Sequence, residues 1–542
     1  MKQFFVRNKY PLLLTAIFVL AECLVQPVGE FPLNDDWSYA KSIKIWLSEG
    51  RYTIGNWGYM TLATHLTWGL LFSKVAGFSF FVLRLSTMVS ALTGALFLYK
   101  LVYHVTRNPI FSSISALSLL FNPIYFGLSN TYMTDVNFTT LLILATFFAM
   151  HFFESGKWVY LFFIALISFA LVLLRQFGIL FPLCFTLAAF TSNKRWLYVA
   201  YGIGLTLLVY LVFKGYEAYL KTILPPYAGY KFSTGLPMGP FEMLDLMGYN
   251  FGRRYKSMVL SMLVYASPIA LLILPSALSG LKPMRRILTL AVSAYFTQLL
   301  TADTQFFTGN IFENMILGPD TFYENSQPSF RHNYSPSFTW VTKILVFACS
   351  TASISTFLFY VGRKIHLGID FKATHPLFVL SVSLIMGYAA MLLVVPSYFD
   401  RYHLPMITFA IILFAPLNRF FKLNTSFAVA LLVIFFYTSV AGTHDYFAWN
   451  RMRWQAYEEL KAEEKAKPEK INGGFEVNCW DEGHETWWTN YLDLNKFNYL
   501  IQYGNHRDFQ TVKRYTFRRW FPFKQDTLSS FKRIRPIQTS FK

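Results

Sequence analysis

Phe31-Pro-Leu-Asn-Asp-Asp-Trp-Ser-Tyr39 follows immediately on the first hydrophobic run of the chain, residues 10–28. Its acidic pair, Asp35-Asp36, therefore stands beside a segment long enough to enter a bilayer. Ionised groups in or beside hydrocarbon are costly, so carboxylates kept there are by default functional-site candidates, with a solvated acidic loop as the bland alternative. Composition decides the setting. The 542 residues are 54% hydrophobic, 19% aromatic and only 14% charged, with a mean hydropathy of +0.37. A soluble chain of this length is not so apolar, and an all-α polytopic membrane protein is expected.

A hydrocarbon core about 30 Å thick takes about 20 apolar residues per helix. Such runs recur at residues 10–28, 78–105, 109–127, 136–153, 158–174, 177–190, 197–213, 258–278, 287–300, 341–361, 376–395, 403–420 and 426–441. They predict about thirteen crossings. The first run follows Lys2, Arg7 and Lys9, but no small-x-small site closes it, so it reads as a retained anchor. Cys23, Cys184 and Cys349 lie in apolar runs and Cys479 stands alone near the end, an arrangement that builds no disulfide framework and no metal cluster.

With a cytoplasmic N-terminus, one side of the membrane receives Lys100 and Arg107, Lys157, Lys194 and Arg195, Lys282 with Arg285 and Arg286, Arg363 with Lys364 and Lys372, and Arg419 with Lys422. These short basic loops satisfy the positive-inside rule. The other side collects the Asp35 loop (29–77), residues 131–135, Arg175-Gln176, 214–256, 301–338, 397–402 and the tail. The net charge of +19 is then largely a topology signal, and no nucleic-acid partner is expected.

The unusual residues gather on that outer side. Trp37, Ala40, Ile43 and Trp46 recur near helical spacing, which predicts an amphipathic helix lying on the membrane surface and capping a cavity. A second helix-like stretch, 59–75, carries His65 and Trp68. Arg84 lies a little inside the next span, where it either snorkels to the surface or serves the site. Asp135 follows Thr131-Tyr-Met-Thr, Arg175 occupies the mouth of the next hairpin, and Asp400-Arg401-Tyr402-His403 forms a late outer turn. Singly, each reads as an interfacial anchor or a helix cap; their joint placement is what points to a site. Guanidinium groups match phosphate oxygens bidentately, and a neighbouring carboxylate can take a proton from an attacking hydroxyl. That combination suits transfer from a lipid-phosphate donor.

In Asp35-Asp36-Trp-Ser-Tyr39-Ala, Val-Leu-Arg84-Leu-Ser, Thr134-Asp135, Arg175-Gln-Phe-Gly178 and Tyr398-Phe-Asp-Arg401-Tyr402-His-Leu-Pro405, the chain resembles the GT-C glycosyltransferase superfamily, in the branch of aminoarabinose transferases and protein O-mannosyltransferases. The resemblance covers most of the chain in topology and about the first 190 residues in motif order. It implies a sugar taken from a polyprenyl phosphate on the outer face and placed on a hydroxyl acceptor, usually with inversion. By that resemblance Asp35 is the general base, Asp135 the second outer acid, with Asp36 beside them; Tyr39 lines the site and Arg175 binds the lipid phosphate. Charge and sidedness add Arg84 and Arg401 for the leaving group, with Tyr402 in the same turn, and His65 as a candidate ligand or acceptor contact. Two departures stand out: Asp36 replaces the Glu of many relatives, and Gly58-Tyr-Met-Thr-Leu-Ala-Thr-His65 lacks their acid or Lys with paired prolines. The residues make no cofactor certain, and they leave room for a bound divalent metal ion.

The division expected is a transmembrane catalytic domain over 1–442 and a small α/β extracytoplasmic domain over 443–542. In the latter, 449–466 reads as helix ended by Pro468, and 487–523 alternates aromatic and polar residues as strands do. This domain either covers the cavity and recognises the acceptor or is a structural lid, and Pro225-Pro226 marks a second loop at the acceptor entrance. Rival readings are a lipid-linked oligosaccharide flippase or transporter, which would favour internal repeats and midplane polar groups, and a polysaccharide polymerase. The partners expected are the lipid donor, a lipid, glycan or protein acceptor, and the bilayer. The location expected is a bacterial cytoplasmic (inner) membrane, with an extracytoplasmic C-terminus.

Overall fold

The protein is described by a computed structural model covering residues 2–55, 57, 60–192, 194–223, 240–302, 311–316, 322–324, 327–329, 336–366, 376–395, 398–419, 421–482, 494–504, 506, 508–521 and 523–534. Gly58-Tyr59, Pro225-Pro226, most of 301–338 and the start of the 487–523 run lie outside the described residues. Helices dominate: α1 (Lys2–Val25), α2 (Asp36–Glu49), α3 (Ala63–Ala76), α4 (Phe80–Thr106), α5 (Pro109–Leu120), α6 (Pro123–Ser129), α7 (Thr134–Ser155), α8 (Trp158–Leu174), α9 (Leu180–Ala189), α10 (Arg195–Ile223), α11 (Pro240–Tyr265), α12 (Ser267–Ser279), α13 (Pro283–Thr301), α14 (Pro336–His366), α15 (Pro376–Val394), α16 (Leu404–Phe414), α17 (Thr425–Glu463) and α18 (Phe475–Glu482).

Each predicted apolar run contains helix, but fewer helices pass the length and hydropathy test for a crossing. Among the described residues seven do so alone, and nine if each of two bent pairs is one span. The bends explain part of the difference. α5 and α6 meet at 66°, and α11 (from Arg254) and α12 at 67°. At the first bend, Asn122 leaves the helical path and its side chain accepts from the N–H groups of Ile124 (2.9 Å) and Tyr125 (3.3 Å), while Pro123 begins the new helix without an N–H to satisfy. Asn108-Pro109 starts α5 in the same way. The runs at 158–174 and 177–190 are the shorter apolar helices α8 and, with its 3-10 lead-in, α9.

The chain between α1 and α4 forms a collar. α2 ends at Gly50, whose φ of +67° suits a residue without Cβ. The approach to α3 is sewn to the end of α8: the Leu62 N–H bonds the Leu174 carbonyl (3.2 Å), Thr61 Oγ1 bonds the Val172 carbonyl (2.8 Å) and Thr64 Oγ1 bonds the Ala170 carbonyl (2.8 Å). The collar is thus registered against the helix that delivers Arg175.

α17 is continuous over 39 residues, about 58 Å at 1.5 Å per residue, roughly twice the hydrocarbon thickness. It runs unbroken through residue 442, where apolar spacing suggested one helix ending and another beginning. Besides a short ribbon of β1 (Phe322–Glu324) and β2 (Gln327–Ser329), the strands are β3 (Ile471–Asn472), β4 (Tyr499–Gln502), β5 (Phe509–Trp520) and β6 (Phe523–Arg533), ordered β3-β4-β6-β5 with only β3 and β4 parallel. Asp445 of α17 holds the end of the β5–β6 hairpin by accepting the N–H groups of Trp520 and Phe521, both at 2.8 Å. Glu459 accepts from Lys513 (2.8 Å) and Tyr515 (2.7 Å) further along.

Candidate active site

Asp35 occupies the N-cap position of α2 yet makes no capping bond with its side chain. An N-cap aspartate ordinarily satisfies a free helix N–H and stabilises by about 1 kcal/mol. Here the carboxylate is turned elsewhere: Oδ1 accepts the Trp57 indole N–H at 2.8 Å and Oδ2 lies 3.0 Å from Arg401 Nη2. The pair is largely buried, with side-chain exposures of 5% for Arg401 and 16% for Asp35. Nε and Nη1 of Arg401 are buried without a hydrogen-bond partner among the described residues. Burial alone would ease the proton off this guanidinium; the facing Asp35 carboxylate outweighs it and holds its pKa well above the ordinary value.

The turn carrying Arg401 is clamped by its neighbour. Asp400 accepts backbone N–H groups from Ile311 (3.2 Å), Phe312 (2.7 Å) and Arg401 itself (2.7 Å). Burial lifts the Asp400 carboxyl to about 6, against the pull of those three bonds and of the Arg401 charge.

A second ion pair lies beside the first. Arg175 Nη2 is 2.7 Å from Asp135 Oδ1, and both side chains are buried. Arg175 also donates to Thr134 Oγ1 through Nε (2.9 Å) and Nη2 (2.5 Å). The Arg175–Asp135 contact is an ion pair by distance; neither Asp135 oxygen has a well-aligned hydrogen bond among the described residues. The Tyr402 ring lies 5.5 Å from the Arg401 guanidinium and 5.8 Å from that of Arg175, so it spans the two pairs. Buried Tyr39 faces all four charges, and burial pushes its phenol up, so it serves as a neutral wall. Asp35, Tyr39, Asp135, Arg175, Arg401 and Tyr402 thus form one constellation.

Asp36, His65 and Arg84 belong to the support beneath it. Asp36 is fully buried, with Oδ1 accepting the Leu33 N–H at 2.6 Å and Oδ2 the Tyr132 N–H at 3.2 Å. Burial pushes its carboxyl up to about 8, despite the Arg84 charge and those two bonds. Arg84 was expected at the leaving group; instead its guanidinium donates to the carbonyls of Pro27 (3.2 Å), Gly29 (2.8 Å) and Phe31. It lies between the rings of Phe31 and Phe447 at 4.9 and 5.0 Å. It shapes the first loop from below. His65 stacks on Tyr132 (4.1 Å between centroids), with Nδ1 2.9 Å from the Asn137 amide and Nε2 3.2 Å from the Tyr132 carbonyl. Burial drives its pKa down to about 3, so the ring is neutral. Both nitrogens being engaged, His65 does not fit a metal ligand. Gly69 lets α3 approach, since a Cβ there would stand 2.0 Å from Tyr132 Oη.

Local sequence pattern did not disclose the tail's part. Glu476 of α18 accepts from the Asn34 N–H (3.1 Å), the Tyr446 hydroxyl (3.2 Å) and Arg453 Nη1 (2.9 Å). Asn34, immediately before Asp35, has a φ of +54°, a left-handed conformation that asparagine tolerates. Lys41 Nζ donates to the Cys479 carbonyl at 2.6 Å, and Trp37, Trp57, Phe475 and Cys479 pack together. The signal that could have found Glu476 is its place among apolar residues near a lone Cys, which by itself names no partner.

Residues 66–215 match the family model described as dolichyl-phosphate-mannose-protein mannosyltransferase. The matched segment contains Arg84, Asp135 and Arg175 and stops outside Asp35 and Arg401. This bears out the resemblance to the GT-C membrane glycosyltransferases. Similar solved structures include ArnT from Cupriavidus metallidurans bound to undecaprenyl phosphate, 11% identical over 96% of this chain and 98% of that one, with a TM-score of 0.42. The same protein in its apo state is 10% identical over 97% and 98%, with a TM-score of 0.43. The archaeal oligosaccharyltransferase AglB from Archaeoglobus fulgidus, in complex with an inhibitory peptide and a dolichol-phosphate, is 13% identical over 90% of this chain and 60% of that one, with a TM-score of 0.39. No curated protein matches in sequence.

Proposed function

We propose that this protein is a membrane glycosyltransferase that moves a sugar from a polyprenyl-phosphate donor to a hydroxyl acceptor at the membrane face carrying the Asp35 loop, the extracytoplasmic face by charge asymmetry. The observation that carries the reading is the Asp35–Arg401 pair, in which a buried guanidinium keeps two unpartnered N–H groups beside a carboxylate. A buried unpaired donor is costly, and the oxygens of a phosphate group would give this guanidinium acceptors that the described residues do not supply. Arg401 and Arg175 then hold the phosphate. Asp35 takes the proton from the acceptor hydroxyl as its oxygen bonds to the anomeric carbon, and the electrons of the breaking C–O bond leave on the phosphate. Attack opposite the leaving group inverts the sugar. Asp135 orients Arg175, and Tyr39 and Tyr402 line the cavity.

On this reading the protein is a multi-pass component of a bacterial cytoplasmic membrane, with residues 1–442 catalytic and 443–542 an extracytoplasmic lid over the Asp35 loop. The test is turnover of radiolabelled undecaprenyl-phosphate monosaccharides by purified protein, wild type beside Asp35→Asn. The expected result is turnover of one donor that falls by about 10²–10⁴-fold in the variant while donor affinity is kept. Equal behaviour of the two, with donor bound or moved but not cleaved, would overturn the reading in favour of a transporter.

A further inference from the structure

At the far end of α7 from Asp135, the described residues hold another group of chemically apt side chains. His104 lies in the last turn of α4, and His151 and Glu154 lie near the end of α7. Sixteen residues of helix separate His151 from Asp135, about 24 Å at 1.5 Å per residue, so this group is independent of the site described above. His104 Nε2 stands 2.6 Å from Glu154 Oε2. The His151 ring is perpendicular to that of His104 with centroids 4.9 Å apart. One ligand atom from each of the three residues lies within 4.8 Å of the others.

His151-Phe-Phe-Glu154 places an imidazole and a carboxylate on one face of α7, because residues three apart on a helix are neighbours. The Phe147 ring stands edge-on to His151 at 4.4 Å, and Tyr160 stacks on it at 5.6 Å, so two aromatic side chains set the orientation of the imidazole. No described side chain or backbone group hydrogen-bonds either of its ring nitrogens. An imidazole so held keeps a nitrogen within 4.8 Å of the ligand atoms of His104 and Glu154.

We infer that His104, His151 and Glu154 bind a first-row divalent cation of the zinc class. Two imidazole nitrogens and one carboxylate oxygen are a borderline donor set, which such ions take at about 2.0–2.2 Å with water completing a tetrahedron. The ion replaces the proton shared by His104 and Glu154 and gives His151 its partner. Because the ligands come from two helices, the ion ties the end of α4 to the end of α7, on the side that the basic loops assign to the cytoplasm. Its effect is on the helix pair, and it requires nothing of the transferase reading.

The experiment uses the full chain, purified in detergent through a tag without histidine, stripped with chelator and dialysed against Zn²⁺. Metal per protein is counted by mass spectrometry for wild type, His104→Ala, His151→Ala and Glu154→Gln. The expected result is about one more equivalent in wild type than in either His variant, together with a Zn²⁺-dependent rise in the unfolding midpoint that His151→Ala lacks. Co²⁺ in place of Zn²⁺ should give visible ligand-field absorption in wild type alone. Equal metal content and equal midpoint shifts in wild type and in Glu154→Gln, which keeps the size of the side chain, would overturn the site and leave a His–Glu hydrogen bond with a neighbouring imidazole. Should the alanine variants fail to fold, His151→Gln carries the same comparison.

Discussion

Asp35 and Asp36 are neighbours in sequence and opposites in the fold. Asp35 faces a mouth whose other members arrive from helices far along the chain, and its arginine retains donors with nothing to hold. Asp36 faces a collar in which backbone N–H groups occupy both oxygens and Arg84 spends its guanidinium on three carbonyls. The mouth is an arrangement with capacity left over; the collar is one in which polar groups are largely used up by the fold itself. Two adjacent carboxylates thus have separate tasks, because the start of α2 turns one away from its helix and the other back into the loop.

Disruption of the collar should have the largest effect. Arg84→Ala leaves the carbonyls of Pro27, Gly29 and Phe31 without their buried donor, and Asp36 without its nearby charge. Charged hydrogen bonds contribute about 1.5–3 kcal/mol each, so a loss of about 3 kcal/mol or more is expected, read as a fall in the unfolding midpoint in detergent. Arg84→Lys should not restore it, because an ammonium lacks the planar fork. An Arg84→Ala protein of normal stability would break the contrast.

At the mouth, Arg401→Ala should act on function first. We expect at least a tenfold rise in donor KM or Kd, with a smaller effect on folding than Arg84→Ala, as measured by donor titration and thermal unfolding side by side. If the stability losses of the two variants are equal, the mouth is no less structural than the collar. Glu476→Gln tests the tail's hold on both regions. It should cost about 2 kcal/mol, by leaving buried Arg453 without its anion, and it should lower kcat less than Asp35→Asn does.

The smallest effect is the dependence of stability on pH. Asp36 is raised from 3.8 to about 8 and Asp400 from 3.8 to about 6, so their contributions are full below the unfolded value and are lost as pH rises through the folded one. His65 is lowered from 6.5 to about 3, so its contribution is present above 6.5 and is lost as pH falls. Between about 4 and 6.5 the slopes oppose each other. From 6.5 to 8, Asp36 is the one of these three groups that still contributes a slope, and its share is a decline of up to about 1.4 kcal/mol per pH unit. Asp36→Asn, which cannot ionise, should flatten that interval in a midpoint-versus-pH series; an unchanged slope would remove Asp36 as its source.

Much of this was legible in the chain. The apolar runs at 78–105 and 136–153 are the helices α4 and α7, and Asp35, Asp135, Arg175 and Arg401 were singled out before any contact was known. What misled was length taken alone: the run at 109–127 passes as one straight span, but Asn122-Pro123 bends it. Arg84 misled for a related reason, since charge and depth cannot say whether a guanidinium meets a ligand or the carbonyls of its own loop. Glu476 was silent because its partner Asn34 lies 442 positions away.

By itself the sequence determined that this is a helical membrane protein with acids and arginines gathered at span ends. Hydrophobic length and the cost of charge are properties of a segment and its immediate neighbours, so a linear reading captures them. Only the tertiary structure decided that Asp35 meets Arg401 across 366 positions, that Asp135 meets Arg175, and that Asp36 and Arg84 serve the frame. An ion pair depends on how helices pack and how their ends turn, and a few ångströms of backbone path separate a charge with a partner to find from one already spent.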